Sequence, residues 1–154
     1  MRKILIMIAA AMVFAACGKK VIVDQTVGFE NDCWLRFEPA KFSVPIKNID
    51  KSYAISITMR YDTSRFASNE LPLLVDFFAD SNEMHNFTPT LRLKNADGTR
   101  RGQTIGALCS VTDTIDRLRS FNKAGDYTYR IKQRTSKYEI YGISSVTLHV
   151  EKNS

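Results

Sequence analysis

The sequence predicts an all-β protein, an antiparallel sandwich of Ig-like or jelly-roll type, behind a cleaved N-terminal lipoprotein signal. Three observations lead there. Short stretches alternate apolar and polar residues with a period of two, the pattern of a strand with one wet face. Gly, Asn and Asp turn signals separate them, and no long amphipathic helical pattern is present. The first twenty residues have a different character altogether.

Arg2 and Lys3 precede an apolar run over residues 4–14, followed by Ala15, Ala16 and Cys17. A basic start, a short apolar stretch and small residues before a cut site are the layout of a secretory signal. The run is too short to span a bilayer core, which needs about 20 apolar residues. The small-small-Cys ending resembles a lipobox, so Cys17 is the expected lipid-attachment residue and the first residue after cleavage. The expected organisation is a signal over 1–16, a lipidated tether over 17–20 and a single β-sandwich domain over 21–152. That length suits one domain with an adequate core of its own.

The signal carries two of the 22 Lys and Arg residues and none of the 16 Asp and Glu residues, so the remainder is only mildly basic. Its cations are scattered, with Arg100 and Arg101 the one adjacent Arg pair, whereas nucleic-acid binders gather them on one face. No nucleic-acid partner is expected. Lys19 and Lys20, beside the anchor, are placed either to touch lipid headgroups or to act as a solvated tether.

Residues 21–29 place Val21, Val23, Val27 and Phe29 on one side and Ile22, Asp24 and Thr26 on the other, a half-buried strand. Residues 34–37 begin a second strand, and Phe42, Val44 and Ile46 continue the alternation. Pro39 and Pro45 confine this stretch to an edge or to strand ends. Residues 53–61 are the clearest strand: Tyr53, Ile55, Ile57, Met59 and Tyr61 alternate with Ala54, Ser56, Thr58 and Arg60.

In residues 71–79 both faces are apolar, with Leu71, Leu73, Val75 and Phe77 on one and Leu74 and Phe78 flanking Asp76 on the other. Either this is a central strand covered on both sides, or Leu74 and Phe78 form a patch that a protein partner covers. Leu91 and Leu93 alternate with Arg92 and Lys94 before the turn at Asp97-Gly98. The oxygens there lack the regular spacing of a calcium loop, and no metal or other cofactor is expected. Residues 112–121 fit a short helix through Ile115, Leu118 and Phe121 or a strand through Arg117, Arg119 and Phe121. Tyr127, Tyr129 and Ile131 form another strand, and Val146, Leu148 and Val150 the last.

Cys33 and Cys109 remain after lipidation. They would sit in a compartment where a disulfide persists, yet strand-like flanks favour two separate thiols. No CxxC or Cys/His metal spacing is present. The two histidines, His85 and His149, fall in a polar stretch and on a polar strand face, so neither signals acid–base chemistry. No enzymatic activity and no small-molecule substrate are expected.

The C-terminal third, with Gly125-Asp126-Tyr127-Thr128-Tyr129, Ile131-Lys132-Gln133-Arg134, Ile140-Tyr141-Gly142-Ile143 and Val146 through Lys152, resembles the gliding-motility lipoprotein GldH family. The lipobox Cys17, residues 53–60, residues 66–69 followed by Leu71, and Gly102 with Gly106 fall in that family's order. Thr135 and Ser136 depart from it. The resemblance implies an outer-membrane lipoprotein with a structural or scaffolding role in an envelope assembly for gliding motility or secretion. Its implied partners are the membrane, through the anchor, and other envelope proteins. Gly18-Lys19-Lys20 lacks the acidic run that marks surface export in that phylum, which implies the periplasmic face. A rival from another class is a carbohydrate-binding lipoprotein with an aromatic platform drawn from Trp34, Tyr138 and Tyr141.

Overall fold

A computed structural model describes residues 19–80 and 84–154; the expected signal, Cys17 and residues 81–83 lie outside it. The twelve strands of the described residues are β1 (Lys20–Gly28), β2 (Cys33–Leu35), β3 (Ala40–Ile46), β4 (Tyr53–Asp62), β5 (Glu70–Phe78), β6 (Met84–Phe87), β7 (Thr90–Arg92), β8 (Gln103–Ile105), β9 (Leu108–Arg119), β10 (Gly125–Gln133), β11 (Glu139–Tyr141) and β12 (Ile143–Lys152). One sheet runs β1-β12-β4-β9-β8 and the other β3-β10-β5-β6, with β7 also paired to β5, while β2 and β11 form a two-stranded ribbon.

All pairings are antiparallel. Taken in chain order, the pairs β1:β12, β3:β10, β4:β9 and β5:β6 alternate between the two sheets. That wrapping is the jelly roll, the second of the two arrangements the alternation predicts.

The core lies between the sheets. Tyr53, Ile55, Ile57, Met59 and Tyr61 of β4 are all buried, as are Val146, Leu148 and Val150 of β12 beside them. From the other sheet come Phe42, Val44, Leu73, Val75, Phe77, Tyr129 and Ile131. At one end Phe121 bridges the layers, its ring 5.5 Å from Tyr53, 4.6 Å from Tyr127 and 6.4 Å from Phe77. Pro45 is tolerated because β3 is an edge strand.

Two strands depart from the alternation. In β1 a bulge between Val21 and Val23 adds a residue, so Val23 is buried but Val21 is 49% exposed, and the expectation that both share the inner face is corrected. Residues 112–119 are strand, the end of β9, with register shifts opposite Tyr53, Ile55 and Ser56. Asp113 points inward there, bound twice by the Arg101 guanidinium (2.6 and 3.0 Å) and once by the Arg92 amide (3.0 Å). This clamp ties the segment around residues 92–101 to β9.

Candidate functional site

The topology gives the molecule two ends. Lys20 lies opposite Lys152, and Lys152 opposite Tyr53, so the start of β1, the end of β12 and the start of β4 share the end at which residue 20 enters the sheet. Gly28 lies opposite Ser145, and Ile143 opposite Tyr61, at the far end. At about 3.4 Å per residue, β12 separates the two ends by roughly 30 Å.

The far end is built around the β2–β11 ribbon. Trp34 and Ile140 face inward as a register pair, and Cys33 and Leu35 face outward opposite Tyr141 and Glu139. Trp34 is wholly buried: its ring stacks on Phe29 at 4.7 Å and its indole N–H donates to the Glu38 carbonyl at 3.1 Å. It is therefore removed from any surface platform, because an amphipathic ring at this position satisfies its one donor internally. Gly142 is required next to the ribbon. Its φ is +92°, and a Cβ there would stand 2.9 Å from the Arg65 Cβ, while its own amide and carbonyl bond Asp32 and Asp62.

Three aromatic side chains stay in solvent at this end: Phe37 is 73% exposed, Tyr138 59% and Tyr141 49%. The Phe37 and Tyr138 rings are 5.8 Å apart, tilted by 57°. Arg65, Phe66, Lys137, Tyr138, Glu139 and Tyr141 line a shallow groove of about 530 Å³. The hydrogen bond to Glu139 holds the Tyr141 phenol above its ordinary range, with desolvation adding to it. Burial and then the charges of Glu139 and Glu38 push the Cys33 thiol up as well, so it is disfavoured as a thiolate nucleophile. Both Cys33 and Cys109 are free thiols, the latter buried with its Sγ 3.3 Å from the Arg101 carbonyl.

A family model described as GldH lipoprotein matches residues 21–150. The chain belongs to the GldH lipoprotein family. Membership implies an envelope-associated, lipid-anchored protein connected with gliding motility. A search of curated proteins finds no match.

Of the residues that the sequence singles out in this GldH-family chain, Cys17 lies outside the described residues. Leu74 and Phe78 are half-buried on the outer face of β5, flanking Asp76. Asp76 is only 4% exposed although it faces away from the core. Lys132 and Arg130 of the adjacent β10 reach its carboxylate at 3.0 and 3.3 Å, and the Arg130 guanidinium sits 5.1 Å above the Phe78 ring. Arg130 and Lys132 thus lie along the outer face of β5 at Asp76 and Phe78, while Leu74 and Phe78 stay partly in solvent.

The histidines are engaged locally. His149 meets Glu151 at 3.0 Å and Asp24 at 3.7 Å on the outer face of the first sheet, and His85 stacks on Phe77 at 5.3 Å. Among the described residues no group of three or more His, Cys, Asp or Glu side chains converges as a metal site. Phe37 was not singled out by the sequence; it follows Arg36 in a stretch that reads as strand, and only the turn after Leu35 turns it outward.

Proposed function

We infer that this GldH-family protein is a noncatalytic outer-membrane lipoprotein, lipidated at Cys17 on the periplasmic side, that scaffolds an envelope assembly for gliding motility or secretion. The observation that supports this most is the polarity of the molecule. The chain enters at one end, and the exposed Phe37, Tyr138 and Tyr141 lie at the other. A lipid-anchored domain so arranged holds large, rigid, amphipathic rings away from the bilayer, and such rings supply much of the energy of protein interfaces. Leu74 and Phe78 are a proposed side contact of the same assembly. The missing acidic run after Cys17 supports the periplasmic orientation, and the local engagement of both histidines supports a role without catalysis.

Cell fractionation and crosslinking test the two halves of this reading. A Cys17→Ser chain, its signal removed as judged by size, is expected to leave the membrane fraction; full retention would end the claim of lipidation at Cys17. Phe37→Ala with Tyr138→Ala is expected to abolish site-specific crosslinks from position 141 to envelope proteins, at an unchanged melting temperature. Undiminished crosslinks would move the partner surface elsewhere.

A second reading, carbohydrate binding, is favoured by the groove of about 530 Å³ beside Tyr138, where Lys137 and Glu139 add hydrogen-bonding groups to an exposed ring. It predicts retention of the protein on an envelope glycan, lost in Tyr138→Ala.

A further inference from the structure

At the tether end a groove of about 300 Å³ opens between the edge strands of the two sheets. Lys20 from β1, Lys47 from just beyond β3 and Lys152 from the end of β12 line it, with Val21, Ile22 and Tyr53. These lysines are far apart in sequence and are brought together only by the pairing of first strand with last and by the approach of β3 to β1. Lys20 and Lys152 stand directly opposite each other, an arrangement that destabilises a sheet because like charges face across one rung. Among the described residues none of the three lies within ion-pair distance of a carboxylate. The adjacent Glu151 is held by His149 on the other face of the strand. Asp126, opposite Pro45, is the acid nearest in register on the β3 side.

A like-charge rung without an internal counterion is relieved by an anion from outside. The exposed Val21 and half-buried Ile22 give the groove an apolar side, and Cys17 is three residues before Lys20, a reach of at most about 10 Å. We propose that Lys20, Lys47 and Lys152 seat the tether end on the phosphate headgroups of anionic phospholipids, so that the sandwich stands upright on the bilayer with Phe37, Tyr138 and Tyr141 directed away from it. The inference rests on lipidation at Cys17, because only an anchored chain holds this groove at headgroup depth. Basic side chains near an anionic surface attract it over about a Debye length, so the seating weakens with salt.

The test uses the lipidated, signal-processed protein, reconstituted in vesicles of phosphatidylcholine alone or with phosphatidylglycerol and followed by flotation and amide hydrogen exchange. Floating with both vesicle types while residues 45–53 and 150–153 gain protection only with phosphatidylglycerol is the expected result. That gain is expected to vanish in a Lys20→Gln, Lys47→Gln, Lys152→Gln chain of unchanged melting temperature, and to survive the three Lys→Arg changes. Flotation without any phosphatidylglycerol-dependent protection, or protection that persists in the Gln chain, overturns the headgroup site and leaves the anchor standing. Failure to float with phosphatidylcholine vesicles overturns the anchor itself, and the headgroup proposal with it.

Discussion

The guanidinium of Arg130 lies 5.1 Å above the ring of Phe78 while one of its nitrogens meets the buried carboxylate of Asp76 at 3.3 Å. One cation thus serves an aromatic face and an ion pair at once, and Lys132 adds a second cation at the same Asp76 oxygen, at 3.0 Å. Phe78→Ala removes the surface on which Arg130 rests. Cation–π contacts of this exposure are worth about 0.5 to 2 kcal/mol, so we expect a loss near 1 kcal/mol by urea denaturation. A double-mutant cycle with Arg130→Gln should return a coupling of at least about 0.5 kcal/mol; additive single losses would show that the two side chains are energetically independent.

Tyr129 is fully buried, stacked on Phe77 at 5.1 Å, and its hydroxyl has no hydrogen-bond partner among the described residues. Desolvation holds its phenol far above the ordinary range. Burying an unbonded hydroxyl costs about 1 to 3 kcal/mol, whereas phenylalanine keeps the ring and its stacking. Tyr129→Phe is therefore expected to leave stability unchanged or raise it by up to about 1 kcal/mol, read from the denaturation midpoint. A loss above about 1 kcal/mol would reveal a partner for that hydroxyl.

Asp113 contributes to the pH dependence of stability. Burial pushes its carboxyl up, but the hydrogen-bonded Arg101 guanidinium and the Arg92 amide outweigh that and hold it below the usual carboxylate value. A depressed folded-state pKa contributes stability above the unfolded value, about pH 4, and that contribution is lost as pH falls through the folded value. Comparing wild type with Asp113→Asn across pH 7 to pH 2 should show a stability gap that narrows below about pH 4. Because the pair is a quarter exposed and screened by solvent, the gap at neutral pH is expected to be only about 1 to 2 kcal/mol. A gap that stays constant with pH would separate Asp113 from acid stability.

Much of the sandwich was legible because its central strands have one dry and one wet face. In β4 the alternation from Tyr53 to Tyr61 was complete, and each inward residue is buried. Legibility failed where a strand is locally irregular. The bulge after Val21 moved that side chain into solvent, and the shifts in β9 with the inward Asp113 blurred its period until helix and strand fitted equally. Trp34 was misread for a different reason: exposure of a lone aromatic is decided by the ribbon that covers it, and β11 lies within Ser136 to Ser144, a stretch around Gly142 with the sequence character of a loop. The surfaces were less legible than the core. Phe37 and Tyr138 meet across the ribbon, and Lys20, Lys47 and Lys152 line one groove from the start of β1, just beyond β3 and the end of β12, juxtapositions that no local spacing encodes.

The pairing of β1 with β12 also decides how the molecule bears load. With the proposed anchor and a partner at the distal rings, tension between them would pull β1 along its own axis against the rungs it shares with β12 between Lys20 and Gly28, so those rungs would be stretched in shear and yield together. Tension between residue 20 and residue 153, which lie at the same end, would instead peel the rungs apart one at a time from Lys20 and Lys152. Single-molecule pulling should accordingly need a markedly higher rupture force for attachment at positions 20 and 138 than at positions 20 and 153. Equal forces would mean that another pair of strands gives way first.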